Sequence, residues 1–160
     1  MEHVNNILKN QYYLDCIEKN GLYEKDRSFC RHDMSHFLDV ARIAMIINLE
    51  ENAVIEKEII YAAALLHDVG RFVQYENKTP HEIASSQIAP QILRESGFDE
   101  KITDVINEAI LNHRNGKIAS ESTLRGILYR ADKQSRSCFN CKAEKQCDWK
   151  INKKNMELII

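Results

Sequence analysis

His67 and Asp68 stand side by side in the run AAALLHDVGRF, Ala62–Phe72. Ile60, Ala63, Ala64 and His67 share one helical face, so the imidazole projects from the side that must be buried. A buried carboxylate beside a buried imidazole is costly unless something pairs with both, and a metal cation does. Gly70, just beyond, is expected to supply the left-handed turn that ends the helix. At such an end a histidine and the next residue can converge on one ion.

Four other helices repeat the pattern. His36 continues the stripe Val40, Ile43 and Ile47 by one turn, and His81 begins the stripe Ala84, Ile88 and Ile92. His113 ends the stripe Val105, Ile106, Ala109 and Ile110, and Asp132 lies one turn beyond Leu128. A lone histidine on an apolar face is commonly a satisfied core residue. Five helices that each bring a polar group to the core side are a different matter, because separately buried each group needs its own partner. Converged, they satisfy one another through one or two cations, for which neutral imidazole nitrogen and carboxylate oxygen are suitable ligands. The expected cofactor is one or two divalent transition metal ions, and such sites accept manganese, iron, cobalt, nickel or zinc.

The elements that must position these residues are all helical. A first helix is expected over Val4–Asn20, with Val4, Ile7, Leu8, Leu14 and Ile17 inward and Asn20-Gly21 closing it; a polar connector, LYEKDR, follows. A second runs from about Asp33 to Glu51, capped by Asp33 or Ser35, and a third from Ile55 to His67. Phe72–Lys78 reads as a polar-aromatic loop. Thr79-Pro80 reads as a cap with proline in the first turn, opening a helix to Glu95. Asp99 caps a fifth helix ending near His113, and a sixth runs from Ser122 to Arg136. No stretch alternates as a strand does, so the expectation is an all-α helical bundle. Residues 1–160 are read as one domain, with a cysteine-bearing C-terminal segment at 137–160.

The 160 residues carry 22 Lys+Arg against 24 Asp+Glu, without a long run of either sign. Nucleic-acid polymers and membrane surfaces are therefore not expected partners. The first residues, MEHVNNILKN, lack the features of a signal peptide, and no apolar stretch is long enough to span a bilayer. The expected compartment is the cytoplasm. Five cysteines, an odd count in such a setting, do not suggest a disulfide framework. Cys138, Cys141 and Cys147 form C-x2-C-x5-C, one short of a zinc or iron–sulfur set. Cys30 could be the fourth: it precedes His36 by six residues, as Cys138 follows Asp132 by six. Two antiparallel helices sharing the central metal would bring them to one region. Free thiols are the alternative, and Cys16 reads as core.

The order His36, His67-Asp68, Asp132 on successive helices resembles the HD superfamily of metal-dependent phosphohydrolases. The resemblance runs from about Cys30 to Arg136 through HFLDVARIA, LLHDVGRF, AILNH and LYRADK. It implies an HD-type fold in which His36, His67, Asp68 and Asp132 hold the metal common to the superfamily. His81 and His113 match the additional histidines of binuclear members, among them HD-GYP cyclic-dinucleotide phosphodiesterases and HD-type diadenosine tetraphosphate hydrolases. In that comparison Asp68 bridges two metals. The GYP signature is missing after the His-Asp pair, which argues against the cyclic-dinucleotide group.

The implied activity is hydrolysis of a phosphoester or phosphoanhydride in a small, nucleotide-like substrate. A divalent ion lowers the pKa of bound water, and the hydroxide can attack phosphorus in line. With one metal Asp68 is the natural general base. Arg71, three residues on, could meet phosphate bidentately, with Arg114, Arg130 and Lys133 behind it as candidates. No residue stands out as the acid for a leaving group. His32 shares a helical face with His36 and could be a ligand, a supporting group or an exposed histidine; Asp39 reads as a local partner of Arg42. Two other functions stay open: a metal-stabilised nucleotide-binding module without turnover, and a di-iron oxygenase, which the same fold also hosts. Substrate, metal identity and oligomeric state are not legible.

Overall fold

The computed structural model describes residues 1–158, which fold as α-helices and short 3-10 turns without a strand among the described residues. The helices are α1 (Glu2–Ile7), α2 (Gln11–Tyr23), α3 (Met34–Glu50), α4 (Lys57–Leu66), α5 (Arg71–Asn77), α6 (His81–Glu95), α7 (Glu100–Asn112) and α8 (Leu124–Gln134). The all-helical expectation holds. α4 is the axis of the molecule: Ile59, Ile60 and every residue from Ala62 to Leu66 are buried. A helix apolar all round must be enclosed, and α1, α3, α6, α7 and α8 all pack against this one. Its small residues Ala62, Ala63 and Ala64 let those neighbours approach.

Several local expectations are corrected. The first helix is two. Asn10 accepts from the Tyr13 N–H and caps α2, so the chain breaks between Ile7 and Gln11. The break shifts the buried face to Tyr13, Cys16 and Asn20, leaving Leu8 and Leu14 exposed. Nor does Asn20-Gly21 close the helix, which continues to Tyr23. Instead the Asn20 amide donates to the Asp68 carbonyl at 3.0 Å and accepts from the Phe72 N–H at 2.7 Å. Phe72–Lys78 is no loop but most of α5, closed by Lys78 in the left-handed conformation. Pro80 itself, rather than Thr79, occupies the cap position of α6.

Gly70 is needed for space, not for a left-handed turn. Its φ is −91°, which any residue adopts. A Cβ there would lie 2.5 Å from the Ser85 backbone nitrogen. The corner between α4 and α5 thus rides directly on α6, and the Gly70 N–H donates to Ser85 Oγ at 2.9 Å. Asp33 and Asp99 cap α3 and α7 as their positions suggest. Beyond α8, residues 137–158 form three one-turn 3-10 pieces with no buried residue. Asn155 ties this segment back by donating to the carbonyls of Lys133 and Arg136. Among the described residues no helix is long and apolar enough to cross a membrane.

Candidate metal centre

The five helices deliver their polar groups to one place. His67 caps the C-terminus of α4 with Asp68 in the following turn; His36 comes from the first turn of α3, and His81 opens α6. His113 caps the C-terminus of α7, and Asp132 lies in the last turn of α8. They form two adjacent groups, His36–His67–Asp132 and Asp68–His81–His113, within each of which one ligand atom per residue lies no more than 4.8 Å from the others. Asp68 faces both. Its Oδ2 is 3.3 Å from His67 Nε2 and 3.9 Å from His36 Nε2. Its Oδ1 is 3.2 Å from His81 Nε2 and 3.6 Å from His113 Nε2.

The rings are fixed from behind. His67 Nδ1–H donates to the Ala64 carbonyl at 2.7 Å and His113 Nδ1–H to the Ile110 carbonyl at 2.6 Å. His81 Nδ1–H donates to Gln74 Oε1 at 2.6 Å. Each of these bonds leaves the Nε2 lone pair aimed inward, the arrangement that orients metal-ligating histidines. Asp132 is held in the same way, its Oδ2 by Lys133 and by Arg136, while Oδ1 faces His36 and His67. His36 Nε2, His67 Nε2 and Asp68 Oδ1 are buried without a hydrogen-bond partner. Orphaned atoms of that kind are costly. Imidazole nitrogens and a carboxylate oxygen converging in one buried place without hydrogen-bond partners fit a divalent cation.

Electrostatics agree with that donor set. Burial holds the imidazoles of His36 and His113 down to about 4 and that of His81 to about 3. They stay neutral, as ligands must be. His67 goes the other way: burial opposes its charge, but Asp68 and Asp132 outweigh it. The pair of carboxylates that favours positive charge at His67 would also favour a cation beside it. Burial would raise Asp68 and Asp132, yet the surrounding His67, His32 and His81, and Lys133 with His67 and Arg136, hold both well below the carboxylate range.

The remaining basic residues part company. Arg71 is half-buried at the edge of the centre, with Nη1 3.2 Å from His81 Nε2, to which it can donate, and Nε 3.7 Å from Glu24 Oε1. Burial opposes its charge, but Asp68 and Tyr75 more than compensate. Arg114 pairs with Glu82 on the surface, and Arg130 is spent on the carbonyls of Ala119 and Glu121 and on Glu51. Lys133 is engaged with Asp132, and Asp39 pairs with Arg42. The cysteines lie outside the centre. Cys16 is buried in α2, Cys30 is exposed before α3, and Cys138, Cys141 and Cys147 are half-buried after α8. Their sulfurs form no group of three within 4.8 Å among the described residues.

Two residues escaped sequence reasoning. Glu24, read as part of a polar connector, is buried. It accepts from His32 Nδ1 at 2.6 Å and from the Tyr75 hydroxyl at 2.7 Å, which turns His32 Nε2 to within 3.7 Å of Asp68 Oδ2. Burial alone would raise its carboxyl; the His32 ring and backbone N–H pull it down to about 2. Asn20 was read as a helix end. Its two buried bonds span the corner that carries Asp68, so Asn20→Ala should cost about 3 kcal/mol, as two buried backbone groups lose their partner. Urea unfolding monitored by circular dichroism measures it.

A family model described as HD domain matches residues 34–137. An uncharacterized protein of Clostridium beijerinckii is 47% identical over 158 residues, covering 99% of each chain. The crystal structure of a predicted HD superfamily hydrolase from an uncultured Thermotogales bacterium matches with a TM-score of 0.65 at 23% identity, covering 90% of this chain and 80% of that one. At that identity the likeness concerns the fold.

Proposed function

The chain belongs to the HD-domain family, and on that premise we propose that it is a metal-dependent phosphohydrolase cleaving a phosphoester or phosphoanhydride of a small nucleotide-like molecule. The observation that carries the reading is the pair of adjacent three-residue groups with the Asp68 carboxylate facing both. His36, His67 and Asp132 would hold one divalent ion, His81 and His113 a second, and Asp68 both. When bound, such ions lower the pKa of a water and polarise a phosphoryl oxygen.

The chain's own residues supply the rest. The backbone carbonyls of Ala64 and Ile110 and the Gln74 amide oxygen keep three rings aimed without reorganisation. With one ion bound, Asp68 Oδ1, buried and without a hydrogen-bond partner, would accept the proton of the attacking water; with two, the same oxygen would be a ligand and no separate base is needed. Arg71 offers a guanidinium beside His81 that matches two oxygens of a phosphate. Its charge is secured by Asp68 and Tyr75.

The test is product release from protein loaded separately with manganese, iron, cobalt, nickel or zinc. Mononucleotides, nucleoside triphosphates, diadenosine polyphosphates and cyclic dinucleotides form the panel. Turnover of one class, absent from Asp68→Ala, is the expected result. Oxygen uptake without phosphate release would replace the reading with an oxygenase. Nucleotide binding without any product would leave a binding module. Metal content gives an independent check on the two groups. His81→Ala and His113→Ala should each lose one of two ions while His36, His67 and Asp132 retain theirs. Unchanged stoichiometry in both variants would mean a mononuclear centre.

A further inference from the structure

We propose that Cys30, Cys138, Cys141 and Cys147 hold an iron–sulfur cluster that staples the loop before α3 to the segment after α8. The inference is independent of the phosphohydrolase reading. It starts from a segment with no apolar core of its own. Residues 137–158 contain three isolated turns and no buried residue, while Phe139, Trp149, Ile151 and Leu158 are exposed. A segment without a core of its own is fixed by cross-links or by metal. None of the five cysteines is in a disulfide.

The cysteines lie where such a staple would act. Asp26, Arg27, Ser28 and Phe29, just before Cys30, line one open depression together with Cys141 and Gln146. Cys30 is exposed as a residue, but the atoms crowding its thiol push it up, and Arg136, Cys138 and Cys141 also act on its charge. Lys154, hydrogen-bonded to Glu144, lies near both Cys147 and Cys138. The Cys141 N–H donates to the Cys138 carbonyl at 3.1 Å, closing the C-x2-C pair into a turn. Arg136 and Lys154 bring positive charge to thiols that would have to ionise.

The spread of the sulfurs decides the class of cofactor. A single tetrahedral zinc at about 2.3 Å from each thiolate holds its sulfurs about 3.8 Å apart. The sulfurs form no group of three within 4.8 Å among the described residues, so they are not drawn together as one zinc ion would draw them. An iron–sulfur cluster takes the same four thiolates on separate irons and so accepts a wider set. It would also brace both flanks of the metal centre. Arg27 donates to the Cys30 carbonyl and to the Tyr75 hydroxyl, which donates to Glu24, the partner of His32. Arg136 reaches toward Asp132 Oδ2 and stacks on the Trp149 ring at 3.9 Å.

The experiment is acid-labile sulfide and visible absorption of the full chain, isolated anaerobically and reconstituted with iron and sulfide. Sulfide separates this site from any iron at the histidines, which contributes none. About four sulfides per chain are expected for a cubane. They should be lost in Cys141→Ser and in Cys30→Ser, whose exposed position makes the change safe for folding, and retained in Cys16→Ser and His67→Ala. No sulfide in the reconstituted wild type, zinc on the thiols in its place, or a full complement in Cys30→Ser would each overturn the proposal.

Discussion

Asp68→Asn should abolish turnover and strip the centre of metal while leaving the helices folded. The substitution keeps the shape of the side chain and removes the one charge that faces five imidazoles: Oδ2 toward His67, His36 and His32, Oδ1 toward His81 and His113. Changes one step removed from a metal cost about 10–100-fold in affinity or activity. A carboxylate shared by both groups should cost more, and a loss of at least about 1,000-fold is expected. The fold does not depend on this charge, because α4 and its neighbours are closed by apolar packing. Metal analysis, product release and a melting curve on one preparation separate the cases. Wild-type activity with full metal would remove Asp68 from the chemistry. Loss of activity with loss of the melting transition would make it structural.

The centre was legible because its members sit on stripes. A histidine that continues Val40–Ile43–Ile47, or ends Ala109–Ile110, declares its direction through its neighbours. α3, α6 and α7 are long enough for that phase to be read. What failed was short or tertiary. α5 has seven residues, too few for a period, and follows a glycine that reads as a stop. Leu14 falls on the inward stripe only of one continuous helix; the cap at Asn10 resets the phase and puts Tyr13 and Cys16 there instead. Glu24 had no local signal at all. It is inside because His32, Tyr75 and Arg71 meet it from two other elements, and only their arrangement offsets the cost of its burial.

Gly70→Ala tests how the two halves of the centre are kept together. The new Cβ would stand 2.5 Å from Ser85 N, 2.6 Å from the Ala84 carbonyl carbon and 2.9 Å from Ala84 Cβ. Two of these are backbone atoms of α6, which cannot turn aside as a side chain does. The helix must retreat from the corner, stretching the Gly70 N–H bond to Ser85 Oγ. Overpacking of this kind, with a buried bond weakened, should cost about 3 kcal/mol or more. In a chain of this size that lowers the melting temperature by roughly 6–12 °C. The functional consequence is larger than the stability loss. His67 and Asp68 ride on the corner and His81 on α6, so the 3.2 Å approach of Asp68 Oδ1 to His81 Nε2 opens with the same movement. On the proposed two-ion reading, an ion at Asp68, His81 and His113 would be lost first, while one at His36, His67 and Asp132, which do not involve α6, would be kept. Gly21→Ala supplies the contrast. That glycine lies within α2 with nothing inside 4 Å of a Cβ, so alanine should stabilise by about 0.5–1 kcal/mol. Equal effects at the two positions would mean that backbone freedom, not the contact between corner and α6, is what Gly70 provides.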